Sequence, residues 1–416
     1  MFFKSSLLFL IAFGILFLPW RNLSEAAVPQ DTRDLSATAR RREVQGHRRT
    51  VSRQAERHVR RAGAAHRATV RWSAQEELAI GKTLEAKGLL SSATFHFEKA
   101  VKLAPNWSEA HDALGTAYDQ QHKSSLAMLE FLRAIRLDSG NAQAHYNLGT
   151  LLREEGNLTA AAQEFQKAVH LKPDDAGAHN DLGLTYAQMG KLGPAIAEFR
   201  TTVRLAPGWA IAHDNLGNAL SMAGDLDGAM KSYRNTIALN PDWAQPYNNL
   251  GNALRQAGNL SGAVAQYQRA LKLEPRYAAA HNNLGLALQQ DGNMAGAIKQ
   301  YELAIEANPN YSTAYNNLAT AFYQKGDWKG AVSDFGQVLR IAPNNPVAHF
   351  NLGLAMKAAG ERQEALEQFH QAQMLDPAND QYKQAYEALL KQSIPGGAGK
   401  SGSGKAVSEA NAGRSK

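Results

Sequence analysis

Proline returns in this chain every 34 residues: Pro105, Pro173, Pro207, Pro241, Pro275, Pro309, Pro343 and Pro377 hold one phase, and Ser139 fills the single skipped place. A fixed period of this length constrains folding more tightly than any bulk property. Each unit is too small to bury its own apolar face and must stack on copies of itself. Nine windows run from Ala74 to Asn379 without an insertion. A length of 416 residues would ordinarily give two or three globular domains, and the repeat replaces that expectation with a linear array.

Within a window the apolar residues fall at helical spacing, as in His281, Leu284, Gly285 and Leu288, then Ala297, Tyr301 and Ala304. Between the two stripes sits a glycine (Gly88, Gly156, Gly190, Gly224, Gly258, Gly292, Gly326, Gly360), a residue able to take the positive φ that closes a helix. Only His122 interrupts that series. The proline ends the second stripe by removing an N–H and crowding the preceding turn. Each window therefore predicts two antiparallel helices joined by a tight elbow. Small residues recur in both stripes, such as Gly149 and Ala161, opposite the large residues Phe131, Phe165, Phe199, Tyr233, Tyr267, Tyr301, Phe335 and Phe369. Large facing small is how packed layers interlock. After Pro377, the stretch 380–391 reads as one unpaired helix, the cap that a solenoid needs over its last apolar face.

Leu-Gly with a later aromatic, Ala-x3-Phe/Tyr-x2-Ala, and a closing proline together resemble the tetratricopeptide repeat (TPR) family over roughly three quarters of the chain. The resemblance implies an all-α, right-handed solenoid of about nine helix-turn-helix repeats over 74–379. It also implies that the first helix of each repeat lines an inner wall that binds polypeptide. The asparagine-rich openings, such as Asn248-Asn249-Leu250-Gly251, are similar to the repeat arm of protein O-linked N-acetylglucosamine transferases. The transferase domain of that enzyme does not follow here.

On that wall, the residue before the repeated leucine is Asn147, Asp181, Asn215, Asn249, Asn283, Asn317 or Asn351, with Asn180, Asn248, Asn282, Asn316, Asn218 and Asn252 beside them. An amide donates and accepts, so it can bind a peptide backbone whatever the side chains are. Packed helices lie about 8–10 Å apart and an extended peptide advances about 3.3 Å per residue, so one amide would meet about every third ligand residue. Micromolar affinity and broad specificity are expected, because each hydrogen bond contributes about 1 kcal/mol and ordering the ligand opposes it. The competing reading has these amides bonding neighbouring repeats. Asp181 breaks the series, and Tyr146, Arg153, Arg255 and Tyr323 add local preference. The inner places are chiefly Asn, Thr, Leu and Gln rather than Lys or Arg, which speaks against a clamp for a C-terminal carboxylate.

Other chemistry is excluded on physical grounds, and no cofactor or metal is expected. His111, His145, His179, His213, His281 and His349 share one phase. Stacked helices displace equivalent side chains by about 10 Å, whereas zinc-bound nitrogens lie within about 4 Å of each other. The stretch from Gly399 to Lys405 mimics a phosphate loop but continues with Ala406, and neither a strand nor a helix flanks it. The chain has no cysteine, which removes disulfides, thiolate metal sites and cysteine nucleophiles. No Ser-His-Asp or paired-carboxylate constellation stands apart from the repeats.

The net charge of +7 is concentrated near one end. Residues 27–73 hold twelve arginines and a net charge of +8, while 74–391 carry −5, which argues against a nucleic-acid groove in the array. Lys4, the apolar run Leu7–Leu18, and Ser24-Glu25-Ala26 predict a signal peptide over 1–26 and export to a periplasmic or extracellular compartment. An uncleaved membrane anchor is the alternative, favoured by the positive charge behind the run. Residues 27–73 predict an Arg-rich flexible tether, either a solvated spacer or an arm lying on an anionic surface. The stretch 392–416 predicts a disordered Gly/Ser/Lys tail. The whole reads as a non-catalytic scaffold holding extended polypeptide in envelope complex assembly. The alternative is an adaptor presenting substrate to a separate glycosyltransferase or to a secretion or pilus machine.

Overall fold

A computed structural model of the chain describes residues 73–393, so the expected signal peptide, the arm up to residue 72, the C-terminal tail and the phosphate-loop mimic lie outside the described residues. The described residues form nineteen α-helices and no strand. They divide into two compact units, which meet in sequence between Leu273 and Glu274.

The first unit holds six helix pairs: α1 (Ala74–Ala86) with α2 (Leu90–Leu103), α3 (Ser108–Gln120) with α4 (Ser124–Leu137), α5 (Ala142–Glu154) with α6 (Leu158–Leu171), α7 (Ala176–Gln188) with α8 (Leu192–Leu205), α9 (Ala210–Met222) with α10 (Leu226–Leu239), and α11 (Ala244–Gln256) with α12 (Leu260–Leu273). The second holds α13 (Ala278–Gln290) with α14 (Met294–Ala307), α15 (Ser312–Lys325) with α16 (Trp328–Ile341), α17 (Pro346–Ala359) with α18 (Arg362–Leu375), and the single helix α19 (Asp380–Ser393). In each unit every pair packs internally and its second helix packs on the next first helix. Consecutive first helices of a unit, such as α3 with α5 and α13 with α15, also touch, which makes their face the tighter side of the stack.

The elbows form as the glycines require. Gly156 has φ 82°, its N–H reaches the Arg153 carbonyl at 3.1 Å, and the following Asn157 N–H reaches Leu152 at 2.8 Å. Those two bonds satisfy carbonyls that the end of α5 would otherwise leave open. Asn157 then caps α6, accepting from the Ala160 N–H at 3.3 Å. His122 takes φ 59° in the place where the other elbows have glycine.

Each second helix sends one aromatic ring into the core, and none of the nine, from Phe97 to Phe369, is more than 3% exposed. In eight of the nine repeats the facing first helix is bare at that point, with Ala319 the exception opposite Phe335: a Cβ on Gly149 would lie 2.9 Å from the Phe165 ring, and one on Gly251 would lie 2.6 Å from the Tyr267 ring. In the second unit α19 closes the stack by burying Tyr382 and Leu389 against Phe350 and Phe369. The Tyr382 and Phe350 ring centroids are 5.1 Å apart.

Candidate functional site

The candidate wall is built on the first helices. In α5, α7, α9, α11, α13 and α17 three consecutive residues define it: a buried residue, the half-buried residue of the predicted series, and the buried repeated leucine; α15 differs only in that Asn316 before Asn317 is half-buried. Helical geometry turns each of these about 100° from the last, so only the middle one reaches the open side.

The series is laced together across repeats by hydrogen bonds at a sequence separation of 35, one more than the period. Asn147 donates to Asp112 at 2.9 Å and to the Thr116 hydroxyl at 3.2 Å. Asn215 donates to Asn180 at 2.9 Å. Asn249 donates to Asp214 at 3.4 Å and to Asn218 at 3.3 Å. In the second unit Asn317 donates to Asn282 at 2.8 Å. Where the series changes to Asp181 the direction reverses: the Tyr146 hydroxyl donates to its carboxylate at 2.5 Å, and Arg153 stands 3.6 Å away. The bonding to neighbours weighed from the sequence is therefore present. It spends part of each amide, and a side-chain amide has two N–H donors and two acceptor lone pairs.

The residues one place earlier do not share the open side. Asn180, Asn248 and Asn282 are buried, whereas Asn316 is half-buried. Asn283 and Asn351 are half-buried like the rest of their series. Asn218 and Asn252 accept at 2.8 Å from the Tyr233 and Tyr267 hydroxyls, which reach through the core from the second helix. Tyrosine replaces phenylalanine where an amide waits to receive it. Burial holds the Tyr233 phenol well above its usual range and pushes Tyr267 up to about 12, so both stay protonated donors. The Arg255 guanidinium bonds Tyr267. Its Nε is buried and without a partner among the described residues. Tyr323 stacks edge-on against Trp328 with centroids 5.0 Å apart. Beside Tyr146 a cavity of about 250 Å³ opens between Gln143, Lys172 and Asp175.

Two acids sit beneath the wall, and the sequence reading passed over both. Asp112 and Asp214 hold the place that Asn180, Asn248, Asn282 and Asn316 hold elsewhere, and burial lifts each to about 6 against the hydrogen bonds they accept. The period was visible, but the link from an acceptor to a donor 35 residues on exists only once the helices stack.

The phased histidines act as clasps. Nε2 of His111, His179, His213, His281 and His349 lies 2.9–3.0 Å from the carbonyl of the proline six residues earlier, and a carbonyl can only accept. His145 does the same to Ser139, and the Tyr247 hydroxyl stands in where a repeat lacks histidine. On the other side Nδ1 meets Glu130, Glu164 or Glu198 in the first unit and Gln300 or Gln368 in the second. Among the described residues no group of His, Cys, Asp and Glu is arranged to hold a metal ion.

With this geometry in place, sequence comparison assigns the class. Models described as TPR repeat and tetratricopeptide repeat match residues 149–190, 217–254, 251–292 and 319–360, then 278–311 and 346–379, and further 130–163 and 176–208. Together they cover more than half of the chain, which belongs to the tetratricopeptide repeat family. As a repeat scaffold of that family, it is a protein-interaction module. No curated protein sequence matches the chain. Among solved structures it is similar to YrrB, titled a TPR protein with an unusual peptide-binding site, at 23% identity and a TM-score of 0.39, covering 44% of this chain and 95% of that one. It is also similar to a tetratricopeptide repeat protein from Parabacteroides merdae, at 16% identity and 0.49, covering 60% and 98%. A third is PilF of Pseudomonas aeruginosa, at 22% identity and 0.45, covering 53% and 100%.

Proposed function

We propose that this protein is an exported, non-catalytic scaffold that holds an extended segment of a partner polypeptide against the first-helix wall of its units and so gathers an envelope complex. One observation carries the reading. Six amides, Asn147, Asn215, Asn249, Asn283, Asn317 and Asn351, stand half-buried at the same place of their repeats, and all but Asn317 lie between residues that are buried on both sides. A structural amide could be buried completely, whereas a row left at the surface keeps hydrogen-bonding capacity where a peptide backbone could use it. Part of each amide is already committed between repeats, so the gain per contact is small and affinity rests on several repeats acting together.

The test begins with affinity purification from envelope extracts and mass spectrometry to identify the partner, followed by titration of extended peptides from it. Replacing Asn215, Asn249, Asn283 and Asn317 by Ala is expected to weaken binding by about fivefold per amide engaged, the equivalent of about 1 kcal/mol each. Circular dichroism and the melting midpoint are read alongside, since Asn215, Asn249 and Asn317 also tie repeats together. Undiminished peptide binding by the folded quadruple variant would reject the wall as the site.

A further inference from the structure

One exposed place on the second helices is small or polar in most repeats and large and apolar in the first two. Phe95 and Leu129 hold the same place in consecutive second helices and are 54% and 43% exposed. Later repeats put Gln163, Ala197, Lys231, Ala265, Lys299, Ser333 and Glu367 there. One turn to either side of Leu129 on α4 stand Leu126 and Leu132, 44% and 46% exposed. A solvated helix face has no reason to carry leucine at three successive turns. Around these side chains lie exposed Lys102, Arg133 and Arg136, and the Lys99 ammonium rests 4.6 Å over the Phe95 ring. Arg133 is tied to Glu130 and Lys99 to Glu77, while of the exposed acids Glu98 accepts from Tyr118 and Asp138 stands at the end of α4. The face is therefore apolar at its centre, and basic residues outnumber acids among the exposed groups at its rim.

We propose that this face seats on an anionic lipid bilayer, with Phe95, Leu126, Leu129 and Leu132 entering the boundary between headgroups and acyl chains. Size and charge decide against a second copy. Four such side chains at about half exposure present on the order of 300 Å², below the ~800 Å² per partner of a stable protein interface. A two-fold contact would also bring the Lys102, Arg133 and Arg136 rim of one copy against the same basic rim of the other. An interfacial surface needs only a modest apolar insertion with basic residues around it. The sequence supplies a second attachment of the same sign, since the twelve arginines of 27–73 lead directly into α1. This inference concerns the opposite side of the repeats from the peptide wall and stands whether or not that wall binds a peptide.

The full-length chain has no cysteine, so Leu129→Cys gives one attachment point for an environment-sensitive fluorophore. Vesicles of phosphatidylglycerol and phosphatidylcholine in equal parts are expected to shift the label's emission to the blue and to let acyl-chain quenchers reach it. Phosphatidylcholine alone should do neither. The same label at Ala265, the equivalent place further along the array, should stay in water. In the unlabelled chain, Leu126→Gln with Leu132→Gln is expected to weaken partition onto the anionic vesicles by about tenfold. Three results would overturn the proposal: vesicle binding with the label at Leu129→Cys still in water, which credits the arginine arm alone; an emission shift that follows protein concentration without lipid, which credits a second copy; and a response to a polypeptide but not to lipid.

Discussion

Asp214 shows how a single side chain in a repeat is tuned by its neighbours. Burial raises it from an ordinary 3.8 to about 6, and it accepts from Asn218 at 3.0 Å and from Asn249 at 3.4 Å. A carboxyl whose folded value exceeds its unfolded one binds its proton more tightly in the folded state. Its contribution is therefore complete below about pH 4 and is lost as the pH rises through about 6. Ionising this carboxyl in the folded chain costs about 3 kcal/mol more than ionising it in the unfolded one. Asn at the same place in other repeats, as at Asn180 and Asn282, avoids that loss. Asp214→Asn is expected to stabilise the protein by about 1–2 kcal/mol at pH 7.5, after allowing about 1 kcal/mol for one donor left without its acceptor. At pH 4 that gain should be absent. Urea midpoints at the two pH values check it, and equal effects at both would show that ionisation is not the cause.

Helices in this array are stable only through their neighbours, and the end helix has one neighbour fewer. α19 closes the second unit with Tyr382 and Leu389, the latter 1% exposed. A Leu-to-Ala change at a site of this burial costs about 2–5 kcal/mol. In a one-dimensional stack that cost is local. Leu389→Ala is expected to speed amide hydrogen exchange through α17, α18 and α19 while leaving α13 and α14 protected. Uniform loss of protection across the second unit would show that its repeats unfold together. The elbows show how much of an element was legible beforehand. The glycine series predicted positive φ at eight places and the structure has it at all eight, because that backbone conformation is a property of the residue itself. The histidine clasps were legible only as a phase. Their partners lie six residues before and nineteen after, and helix packing brings those together.

At the scale of the whole chain, charge and hydropathy divide the sequence into an apolar N-terminal run, a basic arm and an acidic array. Among the described residues no helix is long and apolar enough to cross a membrane. If Leu7–Leu18 directs export, alkaline phosphatase fused after Lys416 is expected to be active in cells, because the reporter works only beyond the cytoplasm. An inactive fusion made at normal levels would place the array on the cytoplasmic side and remove the envelope role proposed above. The absence of cysteine means that either compartment leaves the fold free of disulfide chemistry.

The sequence by itself determined the period, the two helices of each repeat, the elbow between them and the large-against-small core. All of these follow from local backbone preferences and from side-chain spacing along a helix. Only the tertiary structure decided that the asparagines bond from one repeat to the next at a separation of 35, that Asp112 and Asp214 lie buried beneath them, and that Phe95 and three leucines of α4 stay at the surface. Hydrogen bonding and burial depend on how far and at what angle one helix pair is displaced on the next. No residue carries that offset alone.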